Sequence, residues 1–371
     1  MRRKAIPIIL IAIVAAMMPI VSAAITYRYK YVMSYVFENR GSTAFTLEVD
    51  DASVPLFVNN SHQKVSITSS NPALGESYID DDGNKLRKAG IPLTIKPGQK
   101  ISFAVAYEID SSDDPGVAIN TNDAGGVSEI PAGLVDEYVF ATETFMSNNT
   151  GVAERARALT ENRTTVLAKV MSILWWLKGN VTYDNIDVPR YPNETLKELK
   201  GDCDDQAILL ISMCRSLGIP AYLQIGIVLS EGIDATETSW EGHLQIEEKG
   251  IGWHGWAMVY IPPWGWLPVD LTLTSLQNPL EVIQNSPERT YMIVACLSVS
   301  KQAYVGDSRS TKEKIITSNL YITTKDEATP ITEEGWSNYY IIIILGATLV
   351  VSIVIMFRAA RRKQPGRPGY I

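Results

Sequence analysis

The sequence predicts an α+β fold with an N-terminal β-sandwich-like module, a second domain of helices and strands, and a C-terminal transmembrane helix. Apolar residues alternate in short runs from 25 to about 110, which is typical of strands. From 152 to 178 the apolar residues recur instead with a helical period. A run without charged residues at 339–357 predicts the transmembrane helix.

The first element of this fold is the β-rich module, which we place at 25–115. Turn signals such as Lys96-Pro97-Gly98 separate its short runs at spacings that suit a small sandwich. A Gly- and Asp-rich connector follows at 116–150, and the second domain occupies 151–330. An acidic run at 80–82 lacks the ligand pattern of a calcium loop, so we expect neither a metal nor a cofactor.

Both ends of the chain predict segments that are exported or lie in a membrane. Residues 1–24 place basic residues at 2–4 ahead of an apolar stretch, which is typical of a signal peptide or an N-terminal membrane helix. The segment 339–357 nearly spans a hydrocarbon core of about 30 Å. Because 358–371 is rich in Arg and Lys, it is expected to be a cytoplasmic basic tail. We therefore expect a single-pass or two-pass cell-membrane protein whose folded domains lie outside the cytoplasm.

The remaining composition fits an exported protein. Three cysteines cannot form a dense disulfide framework, and their odd number leaves at least one thiol free or paired between molecules. The formal net charge of −8, with no basic face outside the tail, argues against a nucleic-acid partner. Five Asn-X-Ser/Thr sites predict a glycoprotein, at Asn59, Asn148, Asn162, Asn180 and Asn193.

Cys203 is the candidate nucleophile because it begins a predicted helix at about 203–217. Asp202 is a suitable N-cap residue, and Gly218 is a suitable C-terminal stop. A thiol at the first helical position meets the positive end of the helix dipole, which is expected to lower its pKa. The alternative is that Cys203 is a small buried apolar residue, the common role of a free cysteine. Cys214, in mid-helix among apolar residues, fits that alternative.

His254 and Asp270 are the candidate base and its orienting group. Of the three histidines, His254 opens an alternating strand, and a turn around Pro262 is expected to fold the next strand back onto it. Residues 254 and 270 are equally distant from Pro262, so Asp270 should lie nearly opposite His254. Together with Cys203, they form a nucleophile, base and orienter set, which predicts a catalytic site.

These residues lie in segments that resemble a known family. The stretches GDCDDQAILLISMCRSLGIPAY and HGWAMVYIPPWGWLPVDLT resemble the core of transglutaminase-like domains, and the resemblance covers about 160–275. It implies a papain-like fold with cysteine on a helix and histidine and aspartate on adjacent strands. On the matching positions it implies that Cys203, His254 and Asp270 are catalytic. The terminal segments point to a membrane-anchored microbial or archaeal member.

Two positions differ from the usual family pattern. Gly255 stands where alanine commonly follows the histidine, and Leu271 stands where proline commonly follows the aspartate. Neither change removes a reacting group. A glycine is expected to loosen the strand beside His254, which would affect the rate rather than the existence of the site.

The resemblance implies a thiol enzyme that acts on protein or peptide amides through a thioester on Cys203. Water as the acceptor would make it a cysteine protease or amidase, whereas a lysine amine would make it an acyltransferase. The sequence leaves both open, with a slight preference for hydrolysis. The alternative class is a catalytically silent surface binding or adhesion protein with the same fold. Its binding cleft would be aromatic, lined by Trp253, Trp256, Trp264 and Trp266.

Overall fold

The computed structural model describes residues 25–331, which form a mixed α+β structure. The strands are β1 Tyr27–Asn39, β2 Phe45–Thr46, β3 Ser53–Pro55, β4 Gln63–Asn71, β5 Ser77–Ile79, β6 Lys85–Lys88, β7 Thr94–Ile95, β8 Lys100–Ser111, β9 Thr182–Tyr183, β10 Lys200–Gly201, β11 Ala221–Ser239, β12 Leu244–Ile261, β13 Gly265–Val269, β14 Ile293–Val299 and β15 Leu320–Pro330. The α-helices are α1 Ala132–Tyr138, α2 Thr150–Thr160, α3 Val166–Asn180, α4 Pro192–Glu198, α5 Cys203–Ser216, α6 Pro279–Gln284 and α7 Tyr304–Thr317.

One eight-stranded sheet joins the two halves of the described chain. Its order is β14-β11-β12-β15-β1-β8-β4, and β13 pairs with β12 outside this path. The long pair of β11 and β12 is antiparallel, whereas β12 and β15 run parallel. Short pairs and a three-stranded sheet account for the remaining strands. The strands from the first 115 residues are therefore continuous with those from the second half.

This shared sheet corrects the expectation of an N-terminal β-sandwich-like module. The alternation of apolar residues correctly indicates β-structure there, but it does not specify which strands pair. In the structure β1 and β8 share a core with the later strands, so Phe37 and Phe103 are buried in one cluster with Ile227 and Ile251. The described residues from 25 to 329 form one compact unit.

A second core lies beneath the helices. It contains apolar residues of α2, α3 and α5 packed against the β11, β12 and β13 end of the sheet. Strand β12 contributes to both cores, with Ala257 in the helical core and Ile251 in the other. His254 therefore lies on a strand that is packed in both cores on either side of it.

The expectation of a transmembrane helix, and of a cell-membrane location derived from it, is not supported. Among residues 25–331 no helix is both long enough and apolar enough to cross a membrane. The predicted signal segment 1–24, the predicted helix 339–357 and the predicted tail 358–371 lie outside the described residues. The membrane part of the predicted fold class, the membrane as a partner and the predicted location are therefore withdrawn.

Candidate active site

Cys203 is the first residue of helix α5, as the sequence predicts. The Asp202 side chain caps the helix by accepting a hydrogen bond from the Asp205 backbone N–H at 3.4 Å. Gly218, at φ 77°, follows the end of the helix in the left-handed region, which glycine tolerates. The Cys203 side chain is partly exposed, while Cys214 is buried. The helix therefore presents one accessible thiol at its N-terminus.

Gly255 brings the start of α5 close to strand β12. A Cβ atom at position 255 would lie 3.1 Å from Cβ of Asp204, so an alanine there would require the helix or the strand to shift by a few tenths of an ångström. The Gly255 backbone N–H donates a hydrogen bond to the Cys203 sulfur. The glycine thus permits a close approach of helix and strand next to His254. The loosening of the strand at Gly255 stays a prediction.

His254 and Asp270 form a buried pair. His254 Nε2 lies 2.8 Å from Asp270 Oδ2, and their side chains are 4% and 2% exposed. Asp270 follows β13 directly, and β13 pairs antiparallel with β12 so that Val269 lies opposite Ala257. Asp270 therefore reaches His254 diagonally rather than from the directly opposite position. The predicted pairing of these two residues is present, with this shift in register.

Asp270 is held as a carboxylate by its donors. Its Oδ1 accepts hydrogen bonds from the Thr272 backbone N–H at 2.7 Å and the Thr272 hydroxyl at 3.0 Å. Burial acts to raise the pKa of Asp270, but the hydrogen bond and charge of His254, with help from its other donors, lower it to about 2. An anionic Asp270 directs the N–H of His254 to Nε2. The other ring nitrogen, Nδ1, is then left to accept a proton.

The thiol of Cys203 is favoured over the thiolate in this resting structure. Burial raises its pKa, and the negative charge of Asp204 raises it further. The backbone N–H groups of Gly255 and Asp204 act in the opposite direction but do not prevail. The expected lowering of the pKa by the helix start is therefore wrong. The helix dipole is opposed by burial and by acidic residues of the same helix turn.

These acidic residues form a tight cluster at the start of α5. One oxygen of each of Asp202, Asp204 and Asp205 lies within 4.8 Å of the others. Donors of the protein use several of these oxygens: the Tyr304 hydroxyl donates to Asp204 at 2.8 Å and the Arg190 backbone N–H donates to Asp205 at 2.6 Å. Burial, with the neighbouring carboxylates, raises the pKa of Asp202 to about 9 and that of Asp205 to about 7. These raised pKa values therefore reduce the negative charge that the cluster carries beside the Cys203 thiol.

Glu288 is a site residue that the sequence analysis missed. It lies in a short turn, Pro287–Arg289, with its side chain only 3% exposed, and its Oε1 lies 3.8 Å from His254 Nε2. It belongs to a group with His254 and Asp270 in which the ligand-type atoms lie within 4.8 Å of one another. In the sequence, Ser-Pro-Glu-Arg has the composition of an exposed turn. No local signal distinguishes this glutamate from a surface residue.

An open groove lies beside helix α3. It has a volume of about 930 Å³, and its lining includes Met171, Trp175 and Lys178. The Trp175 side chain is 66% exposed. The Lys178 ammonium donates to the Thr274 carbonyl at 3.5 Å, in the loop that follows Asp270. One end of the groove therefore adjoins the loop that carries the orienting carboxylate.

The predicted aromatic cleft is largely part of the core. Trp256 is 3% exposed and stacks on the His254 ring at 5.8 Å, and Trp266 packs edge-on against Tyr222 at 4.9 Å. Trp253 and Trp264 are half-buried. The stacked Trp256 ring limits the orientations of the His254 imidazole. Trp256 thus supports the site, and none of the four tryptophans is an exposed side chain.

Comparison with known proteins identifies a superfamily for part of the chain. The model of the transglutaminase-like superfamily matches residues 153–271. An uncharacterized protein of Haemophilus influenzae is 26% identical over 231 residues, which cover 58% of this chain and 62% of that protein. The uncharacterized protein YebA of Bacillus subtilis is 28% identical over 158 residues, which cover 39% of this chain and 21% of that protein. The chain thus spans less than two thirds of either relative.

A solved structure shares the fold over most of its length. The crystal structure of a proposed cysteine protease from Cytophaga hutchinsonii matches this chain with a TM-score of 0.51 and 16% sequence identity. The match covers 84% of this chain and 93% of that chain. At this identity the likeness concerns the fold alone. It extends well beyond the segment that the superfamily model matches, so the shared architecture includes strands from the first half of the chain.

Proposed function

Because residues 153–271 form a transglutaminase-like superfamily domain, we propose that this protein is a thiol enzyme in which Cys203 attacks amide carbonyls of proteins or peptides. The observation that carries the proposal is the buried His254–Asp270 pair, with Nε2 and Oδ2 2.8 Å apart. His254 lies on β12, the strand that meets the Cys203 end of α5 at Gly255, and Asp270 follows the neighbouring strand β13. A nucleophile, a base and an orienting carboxylate are the groups that acyl transfer through a thioester requires.

The first chemical step follows from the protonation states. Cys203 begins as a thiol, so His254 must take its proton through Nδ1 as the sulfur attacks the carbonyl carbon. Asp270, which already binds Nε2, stabilises the imidazolium that forms. The imidazolium then gives the proton to the leaving amine, and a thioester remains on Cys203. The backbone N–H of Cys203, at the free N-terminus of α5, is suited to bind the carbonyl oxygen during attack.

The acceptor in the second step defines the activity. Water would release a carboxylic acid, as a cysteine protease or amidase does, with His254 removing the proton from water. A primary amine would instead form a new amide, as an acyltransferase does. We propose hydrolysis as the main outcome, because water needs no second binding site. The groove beside α3 is suited to the acyl donor, because it combines an exposed tryptophan with a lysine next to the loop after Asp270.

The proposal is tested with the full chain and a set of peptide amides. Release of amine or ammonia is measured with and without an added primary amine, and the thioester is trapped on Cys203 and located by peptide mass. Cys203→Ala should abolish both signals. Cys214→Ala, which changes a buried cysteine on the same helix, should keep them. If Cys203→Ala releases amine as fast as the parent, the enzyme proposal is wrong and the surface binding alternative takes its place.

A further inference from the structure

Glu288 has no role in the mechanism above, although it is buried beside the catalytic pair. Its Oε1 lies 3.8 Å from His254 Nε2 and has no hydrogen-bond partner among donors of the described residues. Its other oxygen accepts a hydrogen bond from the Ser286 hydroxyl. A buried carboxyl oxygen without a donor is costly if the group is ionised. The position therefore calls for a proton on Glu288.

The neighbouring carboxylate decides where that proton resides. One oxygen of Asp270 and one of Glu288 lie within 4.8 Å of each other in a buried site, and two such carboxyls do not ionise together. Asp270 has the stronger set of donors, from His254 and from the backbone and hydroxyl of Thr272. Among the described residues, Glu288 accepts only from neutral donors, the Ser286 hydroxyl and its own backbone N–H. Asp270 therefore keeps the charge and Glu288 keeps the proton.

The other charged groups near Glu288 do not reverse this assignment. Arg289 directs its guanidinium to Asp114, with Nη1 and Oδ2 3.1 Å apart, and His62 Nε2 also lies 3.4 Å from that carboxylate. All three residues line a cavity of about 280 Å³ that Glu288 shares. The positive charge of Arg289 is thus paired with Asp114. Burial raises the pKa of Glu288 well above its usual value, and the charge of Asp270 and a hydrogen bond with it raise it further.

We propose that Glu288 is a protonated carboxyl that donates a hydrogen bond to Asp270 and thereby positions the His254–Asp270 pair. Its kinetic consequences rest on the proposed function. Glu288 is a positioning residue, because it acts on the reaction through Asp270. Ionisation of Glu288 at alkaline pH would place a second negative charge beside Asp270 and remove the donor. The catalytic rate should therefore fall as Glu288 loses its proton.

Three variants of the full chain test whether Glu288 acts as a neutral hydrogen-bond donor, and not through its charge or by filling space. Glu288→Gln keeps an N–H donor at every pH, whereas Glu288→Ala removes the donor. Glu281→Gln, at an exposed glutamate of α6, is the matched control for loss of one acidic side chain. For each variant kcat and KM are measured across pH, and the Nε2–H signal of His254 is followed by proton NMR.

The expected results differ between the variants. Glu288→Ala should lose about tenfold to hundredfold in kcat, the range for loss of a hydrogen bond to a charged group, with KM little changed. Glu288→Gln should stay near the parent rate, and the alkaline decline of kcat should disappear. Glu281→Gln should match the parent at every pH. An alkaline decline unchanged in Glu288→Gln, or a Glu288→Gln loss as large as that of Glu288→Ala, would overturn the proposal.

The NMR signal keeps this test independent of the enzyme proposal. If the parent turns over no amide, the proposed function fails, but the His254 Nε2–H signal still reports on Glu288. Protection of that proton should persist in Glu288→Gln and weaken in Glu288→Ala. If both variants leave the signal unchanged, or if Glu288→Ala does not fold and Glu288→Gln weakens the signal, Glu288 is not the donor that holds Asp270.

Discussion

Replacement of Asp270 by alanine tests the core of the proposed site. The site lowers the pKa of this carboxyl from 3.8 to about 2 against the effect of burial, and His254 provides the largest favourable part. At about 1.4 kcal/mol per pKa unit, the favourable interactions exceed the burial cost by about 2 to 3 kcal/mol. Loss of that stabilisation from the imidazolium formed during attack should slow kcat by about sixtyfold. KM should change little, because Asp270 is buried and does not reach the substrate.

The assay measures amine release from a peptide amide by the parent, Asp270→Ala and the control Asp234→Ala, which changes an exposed aspartate of β11. Asp270→Ala should remain more active than Cys203→Ala or His254→Ala, since it removes an orienting group and not a reacting one. A rate within threefold of the parent would refute the reasoning. A variant that raises KM and keeps the kcat of the parent would also refute it.

The same variant has a defined effect on stability. Because the folded pKa of Asp270 lies below that of the unfolded chain, its contribution to stability is present above about pH 4 and is lost as pH falls toward 2. The free energy of unfolding of the parent should therefore drop over that interval more than that of Asp270→Ala. Urea unfolding at pH 6 and pH 3 measures the difference, and equal drops would contradict the assigned pKa direction.

Three further predictions concern the thiol, the helix contact and the shared sheet. Alkylation mapped by peptide mass should modify Cys203 before Cys214 or Cys296. The rate of alkylation should rise steeply above neutral pH, because the pKa of the Cys203 thiol is raised. A rate that does not change with pH would contradict the raised pKa. Gly255→Ala should cost about 1 kcal/mol or more in unfolding free energy, because its methyl group would crowd Asp204 at 3.1 Å; an unchanged Tm would refute the close approach. Asn84→Ala should destabilise the whole fold by about 1–3 kcal/mol, since the Asn84 amide exchanges two hydrogen bonds of 2.8 Å with the backbone of Ser298 on β14; a local effect without loss of global stability would refute it.

Local signals in the sequence were sufficient for the candidate nucleophile and its helix. Asp202 and Gly218 mark the ends of α5 by capping chemistry, and the structure begins the helix at Cys203. The predicted helical segment 152–178 is divided in the structure, because Thr165 caps a new helix, α3, by accepting from the Ala168 backbone N–H. A side-chain cap inside a helical apolar pattern is a signal that periodicity alone overlooks.

Long-range contacts account for what the sequence could not predict. The turn between β12 and β13 pairs Ile261 with Gly265, so the hairpin is centred one residue later than Pro262 and Asp270 approaches His254 diagonally. Glu288 joins the site from a separate turn, which no spacing in the sequence relates to His254. The pKa of Cys203 depends on burial and on neighbouring carboxylates. These quantities exist only once the chain has folded.

Because the sheet is continuous, the boundary of the sequence family differs from the boundary of the folding unit. The sequence family ends near residue 153 on its N-terminal side, but the folding unit includes β1, β4 and β8 far upstream. A chain shortened to the family segment would lose most of one core and would leave β11 and β12 without their partners β14 and β15, and such unpaired edges favour aggregation. The upstream strands are therefore an obligatory part of a single cooperative unfolding transition, and thermal unfolding of the intact chain should show no separate early step for them.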